Sequence, residues 1–217
     1  MNQNNQQANL KNLLRIMFAS AGKLSLFVFV SVVLLLGVKV ITDPLIAEAE
    51  RKNLLDTFNQ VLPAELYDND PLSDTVLITD PSALAVLGTK EPVLVYRARK
   101  QGKPAGLILT TTAPNGYSGN ITLLMGVQAD NRVAGVRVLK HKETPGLGDK
   151  IEVNKDRWIL GFNGLSVRHE RDPQWLVKKD GGDFDQFTGA TITPRAVVSQ
   201  VKRTLLLVTE QSEFLYE

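Results

Sequence analysis

The sequence predicts an α+β protein: a single N-terminal transmembrane helix, then a domain of antiparallel strands packed with helices. Three observations carry this reading. Residues 24–38 hold only apolar residues together with Ser25, Ser31 and Gly37. The centre of the chain places short turn sequences between runs rich in Val, Ile and Leu. Near the end, Val197, Val198, Val201, Leu205 and Val208 recur on one face at helical spacing. A sheet covered by a few helices is the economical way to bury such surfaces.

Residues 1–23 are polar, rich in Asn and Gln, and expected to be disordered at the start. The apolar stretch runs to Ile41, interrupted only by Lys39, and approaches the ~20 residues needed to cross a bilayer. Lys39 can snorkel from the end of such a helix. Lys11, Arg15 and Lys23 precede the span, and no acidic residue occurs before Asp43. The positive-inside rule therefore keeps the N-terminus in the cytoplasm and sends the body of the protein across. A buried core helix seldom shows so unbroken an apolar face. A cleaved signal peptide has a loose small-x-small site at Ala47-Glu48-Ala49, but its apolar core is typically about 7–15 residues and ends close to the cut. The reading is an uncleaved anchor over residues 24–42.

Residues 43–92 form a membrane-proximal region. Apolar residues from Leu45 to Leu62 suit an amphipathic helix ended by Pro63. A short strand is expected over residues 76–79. The domain proper covers residues 93–217. It opens with a hairpin over 93–99 and 105–111, then a second over 121–128 and 133–139 with a turn at Asp130-Asn131. Short helical pieces are expected at 148–153 and 156–160, a strand around 175–177, and a final helix from Pro194.

Composition removes several classes. The 217 residues carry a net charge of +2, with basic residues scattered, so no nucleic-acid interface is expected. There is no cysteine, which excludes disulfides, thiolate-held clusters and a cysteine nucleophile within this chain. His141 and His169 lack paired metal-ligand spacing, and no metal site is expected. No Gly-x-Gly-x-x-Gly follows a strand, so no nicotinamide site is expected.

The chemistry concentrates in Asp185-Gln186-Phe187-Thr188-Gly189-Ala190-Thr191, just before Thr193-Pro194. Gly189 and Ala190 allow close approach to the backbone. Thr193 is a suitable N-cap and Pro194 a suitable first helical residue. Unpaired amides and the helix dipole favour an anion there, and the Thr191 hydroxyl sits where it can be esterified to one. A second feature is the loop His141-Lys142-Glu143-Thr144-Pro145-Gly146-Leu147-Gly148-Asp149-Lys150, whose Pro-Gly-x-Gly makes a fixed turn with approachable amides. A third is Asn115-Gly116-Tyr117-Ser118-Gly119, which is equally read as a loop joining the two hairpins. His141 abuts Glu143 and is expected to shape its loop, whereas His169 lies in a charged, solvated stretch.

The pattern Asp-x-x-(Ser/Thr)-Gly-Ala-Thr resembles the motif on which a flavin transferase attaches FMN by a phosphodiester bond to the last threonine. With residues 177–184 leading into it, the chain resembles the G subunit of the Rnf/Rsx membrane electron-transport complex. The C subunit of the sodium-pumping NADH:quinone reductase carries a similar module. Chain length, the Glu-Thr-Pro-Gly-Leu-Gly loop and the residues flanking the motif favour the former. The resemblance implies a periplasmic FMN-binding domain with FMN covalently on Thr191, which would make the chain a flavoprotein and, through the phosphoryl link, a phosphoprotein. It places Asp185, Thr188, Gly189 and Ala190 in the attachment motif, Glu143, Thr144, Pro145, Gly146, Leu147 and Gly148 in the flavin pocket, and Gly116, Tyr117 and Gly119 nearby. Asp185 either recruits the transferase or caps the loop presenting Thr191.

By the same resemblance the chain is an electron-carrying subunit in the bacterial inner membrane. Its complex couples electron transfer to ion translocation. The implied partners are the other subunits of that complex, the maturing flavin transferase and the membrane. The flavin ring performs the redox chemistry and no side chain is catalytic. Two other classes stay open at this point: a periplasmic flavoenzyme acting on a soluble substrate, and a flavin-free structural assembly subunit.

Overall fold

A computed structural model describes residues 3–217, in two compact units, Met1–Leu54 and Leu55–Glu217. Its elements are α1 (Gln3–Asn59), β1 (Thr75–Ile78), α2 (Pro81–Val86), β2 (Val93–Lys100), β3 (Lys103–Gly116), β4 (Gly119–Gln128), β5 (Val133–Lys140), α3 (Ile192–Glu210) and α4 (Ser212–Tyr216), with short 3-10 turns between β5 and α3.

The first unit is helical. The stretch Ala21–Asn59 is long and apolar enough to cross a membrane, with a mean hydropathy of 2.7 in its most apolar window and none of that window buried. Phe27 and Leu35 expose about two-thirds of their surface or more, at 70% and 66%. Exposed apolar side chains over such a length are consistent with a membrane anchor. The polar end of the stretch is marked by Lys39, whose ammonium meets Asp43 one turn later at 2.5 Å. Any disorder expected at Met1 and Asn2 falls outside the described residues; from Gln3 the backbone is already helical.

The helix expected over residues 45–62 forms as far as Asn59, as the continuation of the spanning helix. One helix of 57 residues runs through Pro44 to Asn59. Ala, Leu, Glu and Lys follow the proline, and these are strong helix formers. Leu45 and Ile46 remain exposed, at 64% and 52%, so no buried stripe begins at that point.

In the second unit the strands are ordered β1-β2-β3-β4-β5, every neighbour antiparallel, which makes one continuous meander. The link between β2 and β3 turns on Gln101 and Gly102, both at positive φ (52° and 74°), as a tight hairpin of right-handed strands requires. β3 pairs with β4 along almost its whole length, ending with Gly116 opposite Gly119. Residues 115–119 therefore join the two expected hairpins, as read from the sequence, and also close a third hairpin between β3 and β4.

Each sheet face carries its own core. On one, residues 58–62 pack with Ala98, Ile108 and Leu124. Gly126 and Gly135 lie opposite each other in the β4–β5 register. A Cβ on Gly126 would stand 2.2 Å from the Val61 carbonyl oxygen, and one on Gly135 2.9 Å from Val61 Cα. The glycine pair lets backbone lie directly on the sheet. On the other face α3 buries Val197, Val198, Val201, Leu205 and Val208, the stripe read from the sequence. A buried polar seam crosses this core: the Gln200 amide donates to the Val86 carbonyl (2.8 Å) and to Thr111 Oγ1 (2.6 Å), and the Thr111 and Thr204 hydroxyls lie 2.9 Å apart. Fully paired groups of this kind specify one register of helix on sheet.

Several local expectations change. Residues 175–177 are not a strand. Pro173–Trp175 is a 3-10 turn capped by Asp172, and Val177 makes one isolated parallel bridge to Phe184. Pro173 suits the first position of a helical turn, and Trp175 is drawn into a ring cluster, its centroid 6.0 Å from Phe162 and 5.9 Å from Phe184. α2 was hidden in the mixed region, although Asp80-Pro81 is a cap signal; the Asp80 carboxylate accepts the Ala83 amide at 2.9 Å. The 3-10 turns Asp149–Ile151 and Arg157–Phe162 fall where short helical pieces were expected.

Candidate functional site

Three segments far apart in sequence converge at the N-terminus of α3: the β3–β4 turn, the loop after β5 and the segment leading into the helix. Two of them contain the same turn. At residues 144–147 the Leu147 amide donates to the Thr144 carbonyl at 3.1 Å, with Gly146 at φ 77°. At residues 187–190 the Ala190 amide donates to the Phe187 carbonyl at 3.0 Å, with Gly189 at φ 80°. Both are type II turns, which demand glycine at the third position. The turns face each other: a Cβ on Gly189 would lie 3.7 Å from Leu147 Cδ2.

Glu143 ties the segments together. It is 5% exposed. Its Oε1 accepts the Ser118 amide of the β3–β4 turn at 3.0 Å. Its Oε2 accepts the Thr193 hydroxyl from the first turn of α3. Each carboxylate oxygen thus has one partner, from a different segment of the chain. The Glu143 amide donates to His141 Nδ1 at 3.0 Å, and His141 Nε2 lies 2.8 Å from Glu152 Oε1. An Nδ1 acceptor leaves the proton on Nε2, so this imidazole donates to Glu152 and props the loop. Glycines make room for the carboxylate. A Cβ on Gly116 would fall 2.9 Å from Glu143 Oε1, and one on Gly148 2.9 Å from Glu143 Cβ and 3.1 Å from Thr193 Oγ1.

The result is a cleft of about 170 Å³ lined by Tyr117, Glu143, Thr144, Leu147, Gly148, Gly189, Ala190 and Thr193. Tyr117 and Leu147 are exposed at its mouth, at 70% and 44%. No lysine or arginine is among the lining residues. Gly116 stands behind Glu143. Pro145, Gly146 and Thr188 are exposed members of the two turns, and Gly119, at φ 123°, ends the β3–β4 turn with open space around it.

Thr191 is the N-cap of α3, a role the sequence assigned to Thr193. It is half-buried, has αR geometry (φ −76°, ψ −30°), and its side chain makes no cap hydrogen bond. Its hydroxyl is thus not engaged by the helix it begins. Thr193 lies two residues inside, in the first turn, where its hydroxyl serves Glu143 instead. The reason is tertiary: the buried Glu143 carboxylate, 50 residues away, is the stronger acceptor for the Thr193 hydroxyl, while Pro194, the third residue after Thr191, has no amide to donate to a Thr191 cap.

Asp185 points elsewhere. Its carboxylate meets Lys178 Nζ at 2.6 Å, both residues exposed. Its carbonyl accepts the Trp158 indole N–H at 2.8 Å, and it borders a second cavity with Arg157, Gly161 and Gln174. The motif is seated by packing, since Trp158 lies 5.2 Å edge-on from Phe187. Arg195, in the first turn of α3, is held by a fork to Asp180 at 2.6 and 2.9 Å. That bond keeps the Asp180 carboxyl below its ordinary range. Among the described residues no group of three or more metal-ligating side chains gathers.

Sequence reasoning missed the clamp. Residue type and spacing mark Thr193 only as a cap, and Ser118 acts through its backbone, which carries no side-chain signal. His169 is exposed and outside the site.

The family model for an FMN-binding domain matches residues 116–206, from the β3–β4 turn into α3. Similar proteins include the G subunit of the ion-translocating oxidoreductase complex of Shewanella loihica, 46% identical over 186 residues, covering 86% of this chain and 86% of the relative. The corresponding G subunit of Pectobacterium atrosepticum is 49% identical over 189 residues, covering 86% and 87%. That of Vibrio cholerae is 44% identical over 193 residues, covering 89% and 90%.

Proposed function

The chain belongs to the family of G subunits of ion-translocating oxidoreductase complexes, and from that premise we propose that it is an electron-carrying subunit whose FMN is joined to Thr191 by a phosphodiester. The single observation that carries the attachment site is the disengaged Thr191 hydroxyl at the start of α3, beside a cleft walled by glycines. The residues fit the group. The amides of Ile192 and Thr193 precede the first intrahelical bond, made by Arg195 to the Thr191 carbonyl at 3.3 Å, and are available to phosphate oxygens. Gly148 and Gly189 keep side chains away from the cleft, and Thr144, Leu147 and Tyr117 border it. When bound, FMN supplies the electron-carrying chemistry.

The protein's own residues hold and orient. Glu143 fixes the turn and the helix start relative to each other, and the aromatic cluster seats the segment before Thr191. No side chain in the cleft forms an acid–base pair free to act on a substrate, which favours a carrier over an enzyme in its own right.

In this reading α1 is an uncleaved inner-membrane anchor with residues 1–23 cytoplasmic and residues 24–42 in the bilayer. Residues 43–92 connect it to the FMN-binding domain, residues 93–217, in the periplasm. A flavin transferase matures the chain, the exposed Asp185 being open to that enzyme, and the other subunits exchange electrons with the FMN. A covalent link retains the cofactor where free FMN would diffuse away.

The test is the mass of the membrane-extracted chain made beside an active flavin transferase, with peptide mapping around Thr191. An added FMN phosphodiester on that peptide is the expected result. An unmodified peptide, with the transferase active on a control substrate, overturns the proposal.

A further inference from the structure

We infer that Glu143 makes the cleft reject free FMN, so that the site takes its cofactor only as a covalent ester; the inference rests on the reading of Thr191 given above. Three features carry it. Glu143 lines the cleft, and its buried carboxylate takes up the Thr193 hydroxyl, two residues beyond Thr191. Part of the donor capacity at the start of α3 is therefore already satisfied by a negative charge. The residues lining the cleft include no cation. The arginine closest to the helix start in sequence, Arg195, is forked to Asp180, and Lys178 is paired with Asp185.

Sites that hold phosphate by non-covalent forces usually present arginine or lysine. Here the phosphate of free FMN, a monoester of roughly −1.5 to −2 charge at neutral pH, would meet a buried carboxylate instead. When the transferase moves the flavin phosphoryl group from an activated flavin nucleotide to Thr191, the hydroxyl oxygen becomes the bridge, its proton is lost and the nucleotide leaving group departs with the broken P–O bond, so that a diester of about −1 remains. The bond thus lowers the repulsion as well as tethering the ligand. Glu143 is in this sense a specificity-determining residue, selecting the linked form over the free one.

The experiment uses the full chain produced without a transferase, so that Thr191 is unmodified, and titrates it with FMN and with riboflavin, which lacks the phosphate. Glu143→Gln keeps the side chain's size and an acceptor for Ser118 but removes the charge. It should tighten FMN binding on the order of tenfold, leave riboflavin unchanged, and show a smaller gain at high salt. Thr193→Val, which keeps the charge and loses the hydroxyl, should show no gain. In the unaltered chain FMN binding should strengthen as salt is raised, a readout that needs no variant to fold. No gain for FMN in Glu143→Gln, an equal gain for riboflavin or in Thr193→Val, or binding that weakens with salt overturns the inference. Peptide mass after transferase treatment separates the two ideas. A flavin-bearing Thr191 peptide with no effect at Glu143 defeats only this inference, and a flavin-free peptide defeats the proposed function.

Discussion

The Thr193 hydroxyl donates to the Glu143 carboxylate across 50 residues of chain, and this bond joins the loop after β5 to the first turn of α3. With the Ser118 amide on the other carboxylate oxygen, it makes Glu143 the point where three segments are held at once.

Removing that point should loosen the domain. Hydrogen bonds to a charged group contribute about 1.5–3 kcal/mol each. Glu143→Ala is expected to destabilise the domain by about 2–4 kcal/mol, since the buried Thr193 hydroxyl is left unpaired. Urea unfolding of the unmodified chain measures it, and a loss within about 0.5 kcal/mol of zero would contradict the clamp.

Thr191 should behave in the opposite way. Its side chain makes no cap bond, so Thr191→Ala and Thr191→Val are expected to shift stability by less than about 0.5 kcal/mol while abolishing covalent flavin. Thr191→Ser should keep the flavin. Fluorescence of the denatured chain on a gel distinguishes the three, and flavin retained by the valine variant would place the ester elsewhere.

The turn before Thr191 depends on Gly189 at φ 80°. Alanine meets no atom closer than 3.7 Å there, so Gly189→Ala tests conformation alone. It should cost about 1–2 kcal/mol and lower the yield of flavin attachment at a fixed transferase level. Unchanged yield would show that turn geometry is not what the transferase reads.

Acid should free the segment between residues 178 and 185. The Arg195 hydrogen bond keeps Asp180 below its ordinary value of 3.8, so the pair stabilises the fold fully above that value. The contribution is lost as pH falls through the depressed folded value. Proteolytic cutting in the segment by an acid-active protease should rise as pH drops below about 4, and Asp180→Asn should show the rise absent and cutting already fast at about pH 5. Cutting that is independent of pH in the unaltered chain would refute this.

On the opposite sheet face, Phe58 is 1% exposed and its ring lies 4.6 Å from that of Tyr96. Phe58→Ala is expected to destabilise the second unit by about 3–5 kcal/mol. Gly126→Ala should cost about 1–3 kcal/mol or more, because its Cβ would enter the Val61 carbonyl. Thermal melts compare them, and a melt of Gly126→Ala like that of the unaltered chain would rule out the close approach.

Local chemistry was legible in the residues themselves. The apolar span, both hairpins, the stripe of α3 and the Pro-Gly turn follow from periodicity and backbone preference, which act over a few neighbours. The turn before α3 was also readable, because glycine at a type II turn and threonine at a helix start are local demands. What the sequence left open was decided by packing. Residues 173–177 became a turn because Trp175 joined Phe162 and Phe184 in one cluster. α1 continued through Pro44 because strong helix formers follow it. Thr193 gave up the cap to Thr191 because a carboxylate 50 residues away offered its hydroxyl a better acceptor. The sequence by itself determined the hairpins, the apolar stripe of α3 and the start of that helix after Gly189. Only the tertiary structure decided that Glu143 would stand beside it, since a buried charge is placed by the donors that reach it from distant segments and not by its own neighbours in the chain.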